Sequence, residues 1–353
     1  MIYSFPKLLE TLVAGSEKGL VLATIVEAEG SAPQVVGASA IFSKAGLVAG
    51  TVGGGLLELR VEAIAREAIQ DGIARLVTFH LDADPSDMEG AICGGRARIL
   101  IDPGVGRDRP VFEQCLEELH KRRSGYLITG MDAGEGTIMR TERIWLSAAD
   151  VRSMHTDRSI RLSLAKIGAV ARRPHLVGEA DGLWFIEPVS PLPRLIIAGA
   201  GHVGRAVARL GSLLDFSVTV IDDRAEFANK ENIPEADEIV VGPIGGSVGK
   251  IEDSPDDYFV IVTRGHQKDG EALRAVIGRH ASYIGMIGSR NKVEIMRREF
   301  LERRWGTADE WARIHAPIGL DIGSKTVEEI AVSIAAELVF VRSKRKDAER
   351  GQT

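Results

Sequence analysis

Gly199, Gly201 and Gly204, in the run Gly199-Ala-Gly201-His202-Val-Gly204, are the residues whose type and spacing point most directly to chemistry. An apolar run, Leu195 to Ala198, precedes them, and Val203, Val207, Leu210 and Leu214 recur behind them at helical spacing, which predicts strand, turn and helix. In that setting glycines let the backbone turn tightly and approach a ligand, while free N–H groups and the positive end of the helix dipole attract a phosphate. Asp222 closes the next predicted strand, 21 residues after Gly201, where a carboxylate is placed to accept a ribose hydroxyl. The loop and Asp222 alone would therefore suit NAD(P) and an oxidoreductase that uses it. His202 is either an exposed histidine inside the loop or a ligand contact.

Two further segments fall at predicted carboxyl ends of strands, the edge where open α/β sheets bind ligands. They are Thr263-Arg264-Gly-His266-Gln-Lys-Asp269 and Gly285-Met-Ile-Gly288-Ser289-Arg290-Asn-Lys292. Arg264, His266, Ser289, Arg290 and Lys292 are expected to converge with the glycine loop as an anion-binding wall. Arg224 could join them or form an ordinary ion pair beside Asp222 and Asp223. Arg297, Arg298, Arg303 and Arg304 share a predicted helix with Glu299 and Glu302, the pattern of a solvated face laced with i,i+4 pairs.

In the first half, Gly53, Gly54 and Gly55 follow an apolar strand and precede a predicted helix with Leu57, Val61, Ile64, Ala65, Ala68 and Ile69 on one face. This turn is a second anion-capable element. Glu58 suits the dipole of the helix start, or acts as a hydrogen-bonding base toward a ring ligand. Cys93 precedes two glycines and Arg96, a setting that leaves a thiol open and favours thiolate, although an isolated cysteine is also a common small core residue. Cys115 falls in a helical pattern and reads as a core or boundary residue.

These groups must be held by two domains, since 353 residues exceed the soft prior of about 100 to 200 per domain. Three prolines in Glu187-Pro-Val-Ser-Pro-Leu-Pro193 block helix and central strand, so 188–193 reads as a linker between domains 1–187 and 194–353. The first domain carries strand, turn and helix patterns in mixed order and is expected to be mixed α/β. The second alternates strand and helix regularly, which predicts a Rossmann-type doubly wound parallel sheet. Its last helix opens with the capping box Thr326 and Glu329, and the basic segment 342–353 is expected to fray.

A net charge of −6 supplies no basic footprint for nucleic acid, and no run reaches the roughly 18 apolar residues of a membrane span. Two cysteines form no disulfide framework, so a reducing cytoplasm is the expected location. A homodimer is compatible with the sequence.

Together the motifs resemble the XdhC/CoxI family, accessory factors of xanthine dehydrogenase and related molybdenum hydroxylases. The likeness runs through Gly30-Ser-Ala-Pro33 and Gly37, Thr51 to Glu58, Ile92-Cys93, Glu187-Pro188, Gly199 to Gly204, Asp222 to Arg224, Thr263 to His266, Gly285 to Lys292 and His315 to Gly323. It implies binding of the molybdopterin-type molybdenum cofactor, help in acquiring its terminal sulfur from a cysteine desulfurase, and delivery to a molybdenum hydroxylase apoenzyme, rather than turnover of a small substrate. On that resemblance Cys93 is a sulfur donor or molybdenum contact. The resemblance likewise implies that the glycine elements, Arg264, Arg290 and Lys292 grip the pterin phosphate. Leu56 stands where some members carry a second cysteine, which argues against a two-cysteine relay.

Overall fold

The computed structural model describes residues 5–15, 19–32, 34–81, 95–133, 138–153, 173–179 and 182–351. Cys93 lies outside the described residues. The chain divides into two compact units, Met1–Pro191 and Leu192–Thr353. No helix among the described residues is long and apolar enough to cross a membrane.

Unit one begins with α1 (Phe5–Ala14), β1 (Val21–Gly30), β2 (Ser39–Ser43), β3 (Gly46–Gly50), α2 (Gly55–Asp71), β4 (Arg75–His80) and β5 (Gly95–Asp102). It continues through α3 (Val105–His120), β6 (Gly125–Ala133), β7 (Ile138–Ser147), α4 (Ala148–Ser153), β8 (His175–Glu179) and β9 (Gly182–Val189). The strands form two antiparallel sheets, ordered β3-β2-β1-β5-β4 and β7-β6-β9-β8. Because side chains alternate across a strand, β1 serves two cores. Val21, Ala23 and Ile25 pack with Leu57, Val61, Ala65 and Ala68 of α2, while Leu22 joins Leu8, Leu9 and Leu12 of α1, Phe112 and Cys115 of α3, and Leu127 and Trp145.

Two expectations change here. The apolar strand expected directly before Gly53 is Gly46–Gly50 and ends short of it, because the tight turn at Lys44-Ala45 pairs Ser43 directly with Gly46. Glu187, Pro188 and Val189 are the end of β9, with Pro188 opposite Tyr126, rather than the start of a linker. The pairing of β8 reaches only Ile186, so beyond it β9 is an edge, where a proline without an N–H is tolerated.

This unit also buries charge. Arg143, opposite Thr129 on β6, places Nη1 2.6 Å from Asp102 Oδ2 and 2.5 Å from Asp108 Oδ2. Arg107 adds bonds to Asp108 and to Thr141 Oγ1. Glu187 is buried, 5% exposed. Burial pushes its carboxyl up to about 8, against the pull of Arg143.

Unit two comprises β10 (Arg194–Ala198), α5 (His202–Leu213), β11 (Ser217–Asp222), β12 (Glu238–Val241), α6 (Ile244–Gly249), β13 (Asp257–Ile261) and α7 (His266–Val276). Then follow β14 (Tyr283–Met286), α8 (Arg290–Glu302), α9 (Ala308–Ala312), β15 (Ile314–His315) and α10 (Val327–Gly351). All strands are parallel in the order β12-β11-β10-β13-β14-β15, the doubly wound arrangement expected of a Rossmann fold. Leu195, Ile197, Val218 and Val220 pack with Val207 and Ala208 of α5 and Ile334 and Leu338 of α10. Ile196, Ala198, Phe259 and Ile261 pack on the other face with Leu273 of α7 and Met296 and Phe300 of α8. The chain builds β10 to β12 outward and then returns to β13 beside β10, so the strand order reverses between these two strands.

The capping box forms as expected: Glu329 N donates to Thr326 Oγ1, and Thr326 N to Glu329 Oε2. The basic segment expected to fray is helical through Gly351. Two of its side chains are anchored: Arg342 donates to the Leu214 carbonyl and stacks on Phe216, and Arg345 pairs with Asp256. Helices α7 and α8 begin at His266 and Arg290, inside the two segments, with first turns that are polar and carry no apolar periodicity.

Candidate functional site

At the carboxyl end of β10 the chain must leave the sheet and enter α5 within three residues. Gly199, at φ 120°, is pressed against the backbone leaving β13, and a Cβ on it would stand 2.5 Å from the Val262 carbonyl oxygen. A Cβ on Gly204 would stand 1.9 Å from the Gly199 carbonyl oxygen. These two glycines are required by packing. Gly201 differs: its φ is −72°, and a Cβ there would meet nothing within 4 Å. It is also the N-cap of α5 and contributes no capping side chain, so the first-turn N–H groups are left to an outside acceptor. An open approach in front of uncapped N–H groups fits a phosphate. His202, the first residue of α5, is exposed.

Asp222 is buried, and both carboxylate oxygens are engaged. Oδ2 accepts from Ala200 N at 2.8 Å and Arg224 Nη2 at 2.9 Å, while Oδ1 accepts from Arg224 N and Nε at 3.0 and 2.9 Å. Burial alone would raise this carboxyl, but the Arg224 side chain and the two backbone donors outweigh it and hold it at about 2. The carboxylate expected to receive a ribose hydroxyl is thus occupied within the protein. Arg224, considered as a phosphate contact, is committed to Asp222 and stacks 4.1 Å over the Phe227 ring.

The two segments expected to converge are joined by a residue outside the expected anion-binding wall. Asp269, 0% exposed, accepts from Thr263 N at 3.1 Å, from Thr263 Oγ1 at 2.6 Å and from Lys292 Nζ. Lys292 is therefore tied to the Thr263 segment with its charge matched. Burial raises the Asp269 carboxyl, opposed by the bonds from Lys292 and Thr263. Ser289 is the N-cap of α8, its Oγ accepting from Lys292 N at 3.3 Å. His266 Nε2 lies 3.3 Å from Glu299 Oε2. Arg264 and Arg290 are exposed at the starts of their loop and helix. The polar residue before a helix and the Asp three residues inside it were the signals that could have identified these roles.

A second cluster ties down the loop from His315 to Gly323. Glu337 of α10 accepts from Tyr283 Oη at 2.6 Å and Gly319 N at 2.8 Å, and lies 2.8 Å from His315 Nδ1. Burial would raise this carboxyl, but the bonds from His315, Tyr283 and Gly319 keep it below its ordinary value.

In unit one the triple-glycine turn takes three successive positive φ angles, 131°, 71° and 56° at Gly53, Gly54 and Gly55. Glu58 closes it, its Oε2 accepting from Thr51 Oγ1 at 2.7 Å and from Val52 N at 3.3 Å. Among the described residues no group of three or more His, Cys, Asp or Glu is arranged to hold a metal ion.

Comparison with known proteins bears on both units. A family model described as the XdhC Rossmann domain matches residues 195–338, and one described as the XdhC and CoxI family matches residues 14–80. A Bacillus subtilis protein described as a probable subunit of xanthine dehydrogenase is 26% identical over 347 residues, spanning 97% of this chain and 98% of its own. A crystal structure described as a xanthine dehydrogenase from Bacillus halodurans superposes with a TM-score of 0.79 at 28% identity, covering 98% of each chain. An Escherichia coli protein named YqeB is 37% identical over 161 residues, which is 45% of this chain and 29% of that one. With both halves matched in order and the likeness running nearly end to end, the chain belongs to the XdhC and CoxI family.

Proposed function

We propose that this chain is a maturation factor that holds the molybdenum cofactor by its pterin phosphate, supports its sulfuration, and inserts it into a xanthine dehydrogenase-type molybdenum hydroxylase. The observation that carries this reading is the open, uncapped start of α5 at Gly201. Backbone N–H groups there bind the phosphate, and Arg264, Arg290 and the Asp269-supported Lys292 supply the cationic edge. Cys93 handles the sulfur delivered by a cysteine desulfurase, and Glu58 braces the triple-glycine turn as a second contact. The bound cofactor supplies the molybdenum centre that the hydroxylase needs. The relatives named for xanthine dehydrogenase support that class of enzyme as partner.

The competing reading, an NAD(P)-dependent oxidoreductase, is favoured by the strand order. The four donor contacts already made to Asp222 weigh against it, because a ribose hydroxyl would have to displace Arg224 or Ala200.

Protein purified from a molybdenum-replete host is expected to yield fluorescent pterin after acid oxidation, with molybdenum alongside. Tight NADH binding with hydride transfer and no pterin would overturn the reading. Coexpressed with a molybdenum hydroxylase, Cys93→Ser is expected to abolish activation while retaining pterin; unchanged activation would remove the sulfur role.

A further inference from the structure

Strands β11 and β13 flank β10, so the glycine loop leaves the sheet between their carboxyl ends. Asp223 is the first residue beyond β11, and Lys268 lies in the first turn of α7, which follows β13. A bond between the two has to cross the end of β10, over a gap of about 9.6 Å, or two strand spacings. That bond is present: Lys268 Nζ donates to Asp223 Oδ2. Their side chains are 37% and 34% exposed, and Arg224 Nε stands 3.9 Å from the other Asp223 oxygen.

The two lysines at this edge differ in how firmly each is held. Lys292 is bound to a fully buried Asp269, and removing one partner of a buried pair strands the other's charge. Lys268 is bound to a carboxylate that solvent reaches, and such a pair is weak. An anion arriving at the start of α5 can therefore take Lys268 from Asp223 far more readily than it can take Lys292 from Asp269.

We propose that Lys268 is the exchangeable cation of the phosphate site and that Asp223, bridging to it across the glycine loop, competes with the ligand's phosphate for it. This rests on the reading of a phosphate-bearing ligand at Gly201. Lys292 then serves as a fixed brace, and Asp223 sets the affinity by holding a carboxylate where the phosphate must come.

The test uses molybdenum cofactor released from a molybdenum hydroxylase, either intact or treated with phosphatase to remove its phosphate ester. Retained pterin is measured by fluorescence for the whole chain and for Lys268→Met and Asp223→Asn, with thermal melts as a check on folding. With intact cofactor, Lys268→Met is expected to weaken binding about tenfold, the value of a charge-assisted hydrogen bond. Asp223→Asn is expected to tighten it about threefold, since only an exposed pair is released. Both effects should vanish with the dephosphorylated cofactor. If the unaltered protein binds intact cofactor but neither variant changes the affinity, or both shift it the same way, the exchange is wrong while the phosphate reading stands. If the unaltered protein does not bind intact cofactor, the phosphate reading fails and the exchange with it.

Discussion

Glu187 and Asp222 are both buried carboxyls, and their surroundings push them in opposite directions. Glu187, raised to about 8, folds protonated, so the stability it contributes is complete below its ordinary 4.5 and is lost as pH rises through 8. Glu187→Gln should therefore flatten the fall in melting temperature between pH 5 and 8 and leave the variant more stable than the parent at pH 8.5. Parallel pH profiles for the two proteins would refute this. Asp222, held at about 2, contributes stability above its ordinary 3.8, and that contribution is lost only as pH falls through 2. Asp222→Asn is accordingly expected to cost about 2 kcal/mol in denaturant titrations at neutral pH, from weakened bonds to Arg224. Cys115 is inert by the same reasoning: burial, with the Glu187 charge, pushes its thiol up to about 12. Of the two cysteines, this leaves Cys93 as the candidate for sulfur chemistry.

Within the strand–loop–helix element, the three glycines separate cleanly by what stands next to them. Gly204→Ala forces a methyl into the Gly199 carbonyl and should cost about 2 kcal/mol or more in thermal or urea unfolding. Gly201→Ala meets no protein atom and has an ordinary φ, so it should melt within about 2 °C of the parent, a shift worth less than 1 kcal/mol, yet retain less pterin. Equal pterin retention by Gly201→Ala would mean that nothing docks there. Loop 316–323 is anchored by Glu337 as well as by bonds of Ile318 and Leu320 to Met286 and Ser333, so Glu337→Ala should destabilise the fold by about 2 to 3 kcal/mol and raise amide exchange at Gly319. Thr263, Asp269 and Lys292 show why element boundaries were hard to read: polar first turns carry contacts but no periodicity.

At the scale of the whole molecule, each unit closes its own cores, with the clusters around Leu195 and Ile196 drawn entirely from unit two and those around Val21, Leu8 and Val26 from unit one. Residues 192–353 expressed alone should therefore fold with cooperative unfolding and an α/β circular dichroism spectrum; a non-cooperative melt would show that unit two depends on unit one. The sequence by itself determined the Rossmann unit, because a parallel sheet buried on both faces leaves continuous apolar strands, and glycine turns and capping boxes are local signals. It also placed the glycine loop and the Asp222 strand end correctly, since both depend on neighbours within a few residues. Only the tertiary structure decided which polar groups were already satisfied. Asp222 takes Ala200 N from 22 positions away, Lys292 is filled by Asp269 and Lys268 by Asp223, while Arg143 draws its carboxylates from 35 and 41 positions away in the chain. Hydrogen-bond partners across a sheet edge or between two sheets are chosen by the packing that brings them together, and no spacing along the chain encodes them.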